Sequence, residues 1–275
     1  MSLDTRLVAL RTDEKCITLL VRGQHFATYR FGGGGVPGFT ALYAPEARRI
    51  TRVDDSGLAL HMRHGNVNGI SFGAPTCDRP AGRIISRDIA ARRGSQSVGF
   101  RHRCDWRGPD DTLALTEFST VRALPGPGTG AVLDLDIRLV APNERPISFG
   151  QTDDSLLVIR AANAICAGGT GQVRNSRDDY GSAAIHGRQA SWCACVGVVL
   201  GATVGFAFLD HPTNPYHPSP WNCRADGSIS PSPFAWQAQE LAPGQQLRLR
   251  YRLHIHEGYV ETGWAEERLS EFARE

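Results

Sequence analysis

Apolar and polar residues alternate with a period of two along residues 132–140 and 247–256. In the first segment, four aliphatic residues share one face, and Asp134, Asp136 and Arg138 share the other. Side chains alternate between the two faces of a β-strand, whereas a helix would scatter both sets. Both segments are therefore predicted to be strands with one buried face.

Shorter apolar runs between turn residues predict more strands. Clusters of glycine, proline and aspartate recur about every ten residues, which is typical of a sandwich or a barrel. The further predicted strands lie at residues 7–10, 16–21, 26–29, 113–121, 156–161, 190–199 and 203–209. Only residues 262–274 have a helical pattern, so no helices alternate with the strands. We predict an all-β fold, an antiparallel β-sandwich with a short C-terminal helix, as a single domain over residues 1–275.

The composition limits the compartment and the partners of the chain. The longest apolar stretch, near residues 196–209, is interrupted by three glycines, so no membrane span is expected. The first ten residues lack the basic start and apolar run of a signal peptide, so the expected location is the cytoplasm. An odd number of cysteines, seven, predicts reduced thiols. No aromatic residues interleave with the basic clusters, so nucleic acid is not an expected partner, and the oligomeric state stays open.

Five cationic or imidazole side chains share the polar face of residues 247–256. They are Arg248, Arg250, Arg252, His254 and His256. Like charges along one face repel one another unless acids or solvent lie close by. One interpretation is an outer face that pairs with Asp134 and Asp136. The alternatives are a cleft for an anionic or polyhydroxyl ligand, and a metal site on His254 and His256. The preferred interpretation of the chain involves no bound metal and no cofactor.

Residues 210–221 contain four prolines in twelve positions. Proline fixes φ and lacks a backbone donor, so this segment is predicted to be a stiff loop. Its polar and aromatic groups are Asp210, His211, Asn214, Tyr216, His217 and Trp221. Side chains held by a stiff backbone lose little entropy on binding, which favours a ligand site. The alternative is a packing loop whose histidines hydrogen-bond to backbone carbonyls.

A third candidate segment covers residues 61–69, where Asn66, Asn68 and Gly69 are favourable turn residues. This turn places His64 at the end of a strand. His61 lies three residues earlier, on the opposite face of such a strand. The sequence contains no serine-nucleophile elbow, no phosphate-binding loop and no zinc-protease helix motif.

Several segments, taken in order, resemble a bacterial family of unknown function called "methane oxygenase PmoA". They lie at residues 64–69, 133–139, 147–152, 173–176, 187–192, 208–221 and 256–258. Their most specific stretch is the Asp-His-Pro-x-Asn-Pro-x-His-Pro pattern that begins at Asp210. The resemblance implies a soluble β-sandwich of the supersandwich, galactose-mutarotase-like kind. It implies a carbohydrate-type ligand by association only.

The chain departs from that family pattern in two places. Residues 54–59 replace a histidine-rich stretch, and Asn66 replaces an expected aspartate. A family metal site or acid–base pair would lose ligands at both places. The departures suggest another substrate, for example in specialised metabolism, or binding without catalysis.

The leading hypothesis is an enzyme that acts by acid–base rather than redox chemistry on a sugar-like or other oxygenated small molecule. A lyase or isomerase is favoured over a hydrolase, because no carboxylate pair at a recognisable site indicates glycoside hydrolysis. The predicted acid–base groups are His64, His211 and His217, with Asp210 orienting one of them. The predicted substrate-binding residues are Asn66, Asn68, Arg188, Trp192, Asn214, Tyr216, Trp221 and Arg252. The alternatives are a non-catalytic carbohydrate-binding module with an open aromatic face, and a metal-dependent enzyme using His254 and His256.

Overall fold

The computed structural model describes residues 7–73, 78–152, 156–166 and 168–275, and within them it contains nineteen strands and two helices. The strands are β1 (Val8–Thr12), β2 (Cys16–Val21), β3 (Gln24–Arg30), β4 (Gly38–Ala44), β5 (Arg48–Arg49), β6 (Leu60–Met62), β7 (Arg83–Arg93), β8 (Val98–Arg107), β9 (Leu113–Pro125), β10 (Ala131–Val140), β11 (Ile147–Phe149), β12 (Leu157–Arg160), β13 (Gln172–Asn175), β14 (Trp192–Val199), β15 (Ala202–Asp210), β16 (Trp221–Cys223), β17 (Ser228–Pro231), β18 (Gln239–Leu241) and β19 (Gln246–Glu257). The helices are α1 (Ser182–Ile185) and α2 (Thr262–Ala273).

Two large antiparallel sheets form the molecule. The first sheet has the order β1-β2-β3-β4-β6-β12-β17-β16, with β5 paired to β4. The second has the order β13-β14-β15-β19-β10-β9-β8-β7, and β11 and β18 form a small third sheet. The apolar faces of the large sheets share one hydrophobic core, in which the rings of Tyr29 and Phe100 lie 4.5 Å apart. The prediction of an all-β sandwich with a short C-terminal helix is confirmed.

The two alternating segments become neighbouring strands at the centre of the second sheet. Strands β10 and β19 pair so that Asp134 lies opposite Arg252 and Asp136 lies opposite Arg250. The aliphatic residues of both strands point into the core, and the charged residues point outward. Pairing of opposite charges across the strands offsets the repulsion within the cationic row of β19.

Helix α2 covers part of the outer face of the second sheet. A second apolar cluster joins side chains of β14 and β15 to the helix, and its buried members are Trp192, Ala194, Ala207, Leu209, Val260, Ala265, Leu269 and Phe272. The helix therefore divides this outer face into a covered half on β14, β15 and the end of β19, and an open half on β7 to β10 and the start of β19.

Two further predictions concern cysteines and membranes. The six cysteines within the described residues form no disulfide, and Cys193 and Cys195 are fully buried; Cys77 lies outside those residues. Neither described helix combines the length and the apolar character needed to span a membrane. The single-domain boundary at residues 1–275 stays a prediction.

Candidate functional site

The proline-rich loop begins at the end of β15, where the fully buried carboxylate of Asp210 accepts three hydrogen bonds. Its Oδ1 atom accepts one from Nδ2 of Asn214 at 2.7 Å. Its Oδ2 atom accepts one from the backbone N–H of Ser219 at 2.9 Å and one from Nδ1 of His217 at 3.0 Å. A single carboxylate therefore holds both ends of the loop together.

The loop is also attached to β19 through Asn214, which was predicted to bind substrate. Its Oδ1 atom accepts a hydrogen bond from the backbone N–H of Arg250 at 2.7 Å, and Nδ2 donates to the Arg250 carbonyl at 2.8 Å. With its bond to Asp210, the buried amide is fully engaged within the protein. Asn214 therefore positions the loop, and its predicted contact with substrate stays a prediction.

His217 is held by Asp210 but remains partly open to solvent. The side chain of His217 is 17% exposed, and its Nδ1 atom donates to the carboxylate. The neutral ring then has its lone pair on Nε2, which has no hydrogen-bond partner among the residues that the structure describes. An imidazole oriented in this way by a buried acid is arranged as a general base.

Tyr216 connects this pair to the His64 segment. Its backbone has φ of +59°, a left-handed conformation that is unusual for an aromatic residue and often occurs at functional sites. The Tyr216 hydroxyl donates to Oε1 of Gln239 at 2.9 Å, and its ring lies 6.2 Å from that of Phe234. The Phe234 ring in turn lies 5.9 Å from the ring of His64, which is 1% exposed. The loop and His64 thus lie on the same side of the molecule, joined by aromatic packing.

His211 points away from His217, toward helix α2. Its Nδ1 atom accepts hydrogen bonds from the backbone N–H and the hydroxyl of Thr213, and Nε2 lies 3.2 Å from the carbonyl of Phe272. Burial and the charge of Arg250 lower the pKa of His211. The structure therefore does not bring His211 together with His217: its Nδ1 is bonded to Thr213 within the loop, and its Nε2 faces α2 and the Arg250 guanidinium.

The two tryptophans predicted to stack on a ligand are buried. Trp192 lies beneath α2 and its Nε1 donates to Oε1 of Glu266 at 2.8 Å. Trp221 lies in the core and its Nε1 donates to the carbonyl of Ala190 at 2.7 Å. Since both indoles are fully covered by protein, neither presents a face to a substrate.

Asn66 and Asn68 shape a turn. Oδ1 of Asn66 accepts a hydrogen bond from the N–H of Gly69 at 3.0 Å. Asn68 adopts φ of +51°, and its Oδ1 accepts from the N–H of Ser148 at 2.7 Å. These amides hold the turn after His64 against β11, and such bonds give both residues a structural role.

The predicted arginines differ in their surroundings. Arg252 is buried and its guanidinium binds both carboxylate oxygens of Asp134, with a further contact to Glu275 at 2.8 Å. These acids already neutralise the Arg252 charge and give the guanidinium a structural role, and its contact with a substrate carboxylate stays a prediction. Arg188 is exposed, and its carbonyl accepts a hydrogen bond from the N–H of Trp221 at 2.9 Å. Arg188 thus stays a candidate substrate contact.

His254 and His256 lie in the covered half of the outer face. Both rings pack edge-on against Trp264, at 5.5 and 5.7 Å between ring centroids. Burial lowers the pKa of His254 to about 3 and that of His256 to about 4, so both rings are neutral at pH 7. Within the described part of the chain, no three histidine, cysteine or acidic side chains are grouped as metal ligands.

The structure contains a second acid–histidine pair, which the sequence analysis did not identify as a site. Nε2 of His61 lies 3.6 Å from Oδ2 of Asp54, in the segment that replaces the histidine-rich stretch. The pair borders a pocket of about 200 Å³ that Arg63 and Arg160 also line. Burial lowers the pKa of His61 to about 4, although the Asp54 carboxylate acts in the opposite direction.

Comparison with known families covers nearly the whole chain. Residues 16–270 match a family described as "Family of unknown function (DUF6807)". The chain belongs to this family. The matched residues include the proline-rich loop and both acid–histidine pairs, but nothing in the match links the chain to the methane-oxygenase name. No curated protein matches the chain.

Proposed function

We propose that this member of the family is an enzyme that moves protons, without redox chemistry, on a sugar-like or other oxygenated small molecule. The observation that carries the proposal is the Asp210–His217 pair on the proline-rich loop. Asp210 fixes the tautomer, and the loop supplies a stiff mount for a ring that stays partly exposed. Geometry of this kind suits a general base, which contributes about 10²–10⁴-fold to a reaction rate.

In the proposed reaction, Nε2 of His217 removes a proton from a carbon next to a carbonyl group. The C–H electron pair moves into an enolate, and the buried Asp210 carboxylate stabilises the imidazolium that forms. Return of the proton to the other face or to a neighbouring atom gives isomerisation. Expulsion of a leaving group from the next carbon gives elimination. Both outcomes start from the same proton transfer, which is why lyase and isomerase chemistry are proposed together.

A carbohydrate-binding role without catalysis is the second candidate, because one observation favours it. Tyr180 and Tyr259 are 58% and 66% exposed and line one pocket of about 120 Å³ with Gln172 and Arg174. Exposed aromatic rings beside polar groups suit stacking on sugar rings.

Proton transfer is testable before the substrate is known, because it exchanges a C–H proton for deuterium in D₂O. A panel of keto-sugars, sugar acids and glycosides is incubated with the protein and followed by proton NMR. We expect exchange or turnover with at least one compound, and a loss of about 100-fold or more in His217→Gln.

The matched control is His186→Gln, since His186 is exposed and lies outside the loop. This variant should keep the wild-type rate, and both variants should keep the wild-type melting temperature to within a few degrees. Exchange that persists in His217→Gln would remove the proposed base. Binding of a panel sugar without any exchange would favour the non-catalytic candidate.

A further inference from the structure

The open half of the outer face of the second sheet forms a groove of about 670 Å³ across β7, β8, β9, β10 and β19. One row of outward side chains crosses it, with each residue paired to the next in the strand register: Asp88, Arg103, Phe118, Arg138 and Arg248. Arg101 lies on β8 two residues from Arg103. We call this surface the arginine groove, defined by Arg101, Arg103, Arg138 and Arg248.

The charges in the arginine groove are incompletely balanced. Arg138 and Arg248 are direct register partners, and like charges directly opposite one another destabilise a sheet. Arg248 binds Asp136 through two contacts, at 2.9 and 2.6 Å, and Arg103 lies 3.3 Å from Asp88. Within the described part of the chain, Arg138 and Arg101 form no salt bridge, although Arg138 lies on the same face of β10 as Asp136 and lowers the pKa of that carboxyl. Two exposed guanidinium groups therefore remain available for an anion from outside the protein.

The groove also offers an apolar surface and hydroxyl acceptors. The Phe118 side chain is 36% exposed at the centre of the row, and the Arg138 guanidinium lies 5.7 Å from its ring centroid. Asp88 and Asp136 interrupt the positive charge along the groove. Carboxylates accept hydrogen bonds from hydroxyl groups, and a sugar chain carries such groups on each residue.

We propose that the arginine groove binds a carboxylated oligosaccharide, a chain of uronic-acid residues. An arginine fork binds a carboxylate through two parallel hydrogen bonds, and the Phe118 ring can pack on the apolar face of a pyranose. Strands lie about 4.8 Å apart, so the row of five residues spans about 19 Å, enough for about four sugar residues. The proposal goes beyond acid–base chemistry at His217 and does not depend on it.

The test measures binding of tetragalacturonic acid by isothermal titration calorimetry to wild type, Arg138→Gln, Arg101→Gln and Arg11→Gln. Arg11 is exposed on β1 of the other sheet and provides the same loss of charge away from the groove. We expect each groove variant to bind about tenfold more weakly or worse, whereas Arg11→Gln binds like wild type. The affinity should also fall as salt concentration rises.

Three results would overturn the proposal. The first is no binding of the tetrasaccharide to wild type at millimolar concentration. The second is an equal loss of affinity in Arg11→Gln and Arg138→Gln, which would reflect net charge rather than the groove. The third is equally tight, groove-dependent binding of an oligothymidylate of the same charge, which would assign the groove to single-stranded nucleic acid instead. Circular dichroism of each variant shows whether a loss of binding reflects unfolding.

Discussion

The two acid–histidine pairs contain the same side chains but differ in how the carboxylate holds the ring. Asp210 lies 3.0 Å from Nδ1 of its histidine, is fully buried, and leaves His217 partly exposed. Asp54 lies 3.6 Å from Nε2 of His61, beyond hydrogen-bonding distance, and the His61 ring is buried. The first pair therefore combines a fixed tautomer with solvent access, and the second has neither.

The comparison teaches that an acid beside a histidine is not enough to make a base. Burial without a hydrogen bond lowers the pKa of His61 to about 4, so the His61 ring is neutral near pH 7. The ring borders a pocket but does not readily take up a proton there. His217 combines partial exposure with a hydrogen bond to a buried acid, and the proposed proton transfer rests on this combination. The position of the carboxylate decides between these two outcomes.

The largest expected effect is the loss of stability on removing the acid of the first pair. Asp210→Ala leaves the buried Asn214 amide, the Ser219 N–H and the His217 ring without their common acceptor, so we expect a loss of about 3–5 kcal/mol in the free energy of unfolding. Asp54→Ala should cost about 1 kcal/mol, because Asp54 mainly accepts from its own turn, at Ser56 and Leu58. Urea denaturation measures both. An equal loss of unfolding free energy in Asp210→Ala and Asp54→Ala would contradict the difference described between the two pairs.

An intermediate effect concerns the pH dependence of stability. The pKa of His61 is lower in the folded protein than its ordinary value of 6.5, so the unfolded chain binds the proton more tightly. The stability contribution is therefore complete above pH 6.5 and is lost as pH falls toward 4. His61→Gln should reduce the loss of unfolding free energy between pH 7 and pH 4.5 by about 2 kcal/mol. An unchanged slope would indicate that the His61 ring is protonated in the fold.

The smallest effect tests whether Tyr216 takes part in proton transfer beside His217. Tyr216→Phe removes the single hydrogen bond to Gln239, so we expect a loss of about 0.5–1 kcal/mol in stability. The deuterium-exchange rate should stay within a factor of about two, since His217 and Asp210 keep their contact. A loss of exchange comparable to that of His217→Gln would extend the proton-transfer group to the Tyr216 hydroxyl.

The sequence predicted the strands whose faces separate cleanly into apolar and charged residues. β10 and β19 were found with nearly correct bounds, and the predicted strand at residues 16–21 is β2. The long strands β7 and β8 were not predicted, although residues of β8 alternate. The inward residues of β8 are all buried: Val98, Phe100, His102, Cys104 and Trp106. The period-two pattern is therefore present in β8, and only His102 interrupts its apolar face. Most residues of β7 are exposed or only partly buried, so that strand lacks a strong apolar face.

The candidate site was only partly predictable, because burial depends on elements far along the chain. The sequence analysis expected Asp210 to orient one of three histidines, without indicating which, and the structure pairs it with His217. Nothing local distinguishes the exposed His217 from His211, since helix α2, about fifty residues later, decides which ring is covered. The same helix buries Trp192 and Arg252. Periodicity identifies the outer face of a strand, but it does not tell whether solvent or another element lies on it.

The position of β19 has a consequence for the order in which the protein folds. This last strand, Gln246–Glu257, lies between β15 and β10, and it is the link between the two halves of the second sheet. While the chain is being synthesised, the hairpins of β7 to β10 and of β13 to β15 can each form, but they cannot join until β19 has been made. Until then the edges of β10 and β15 offer unpaired backbone groups to other chains. Aggregation during synthesis should therefore depend strongly on how soon this final strand is released.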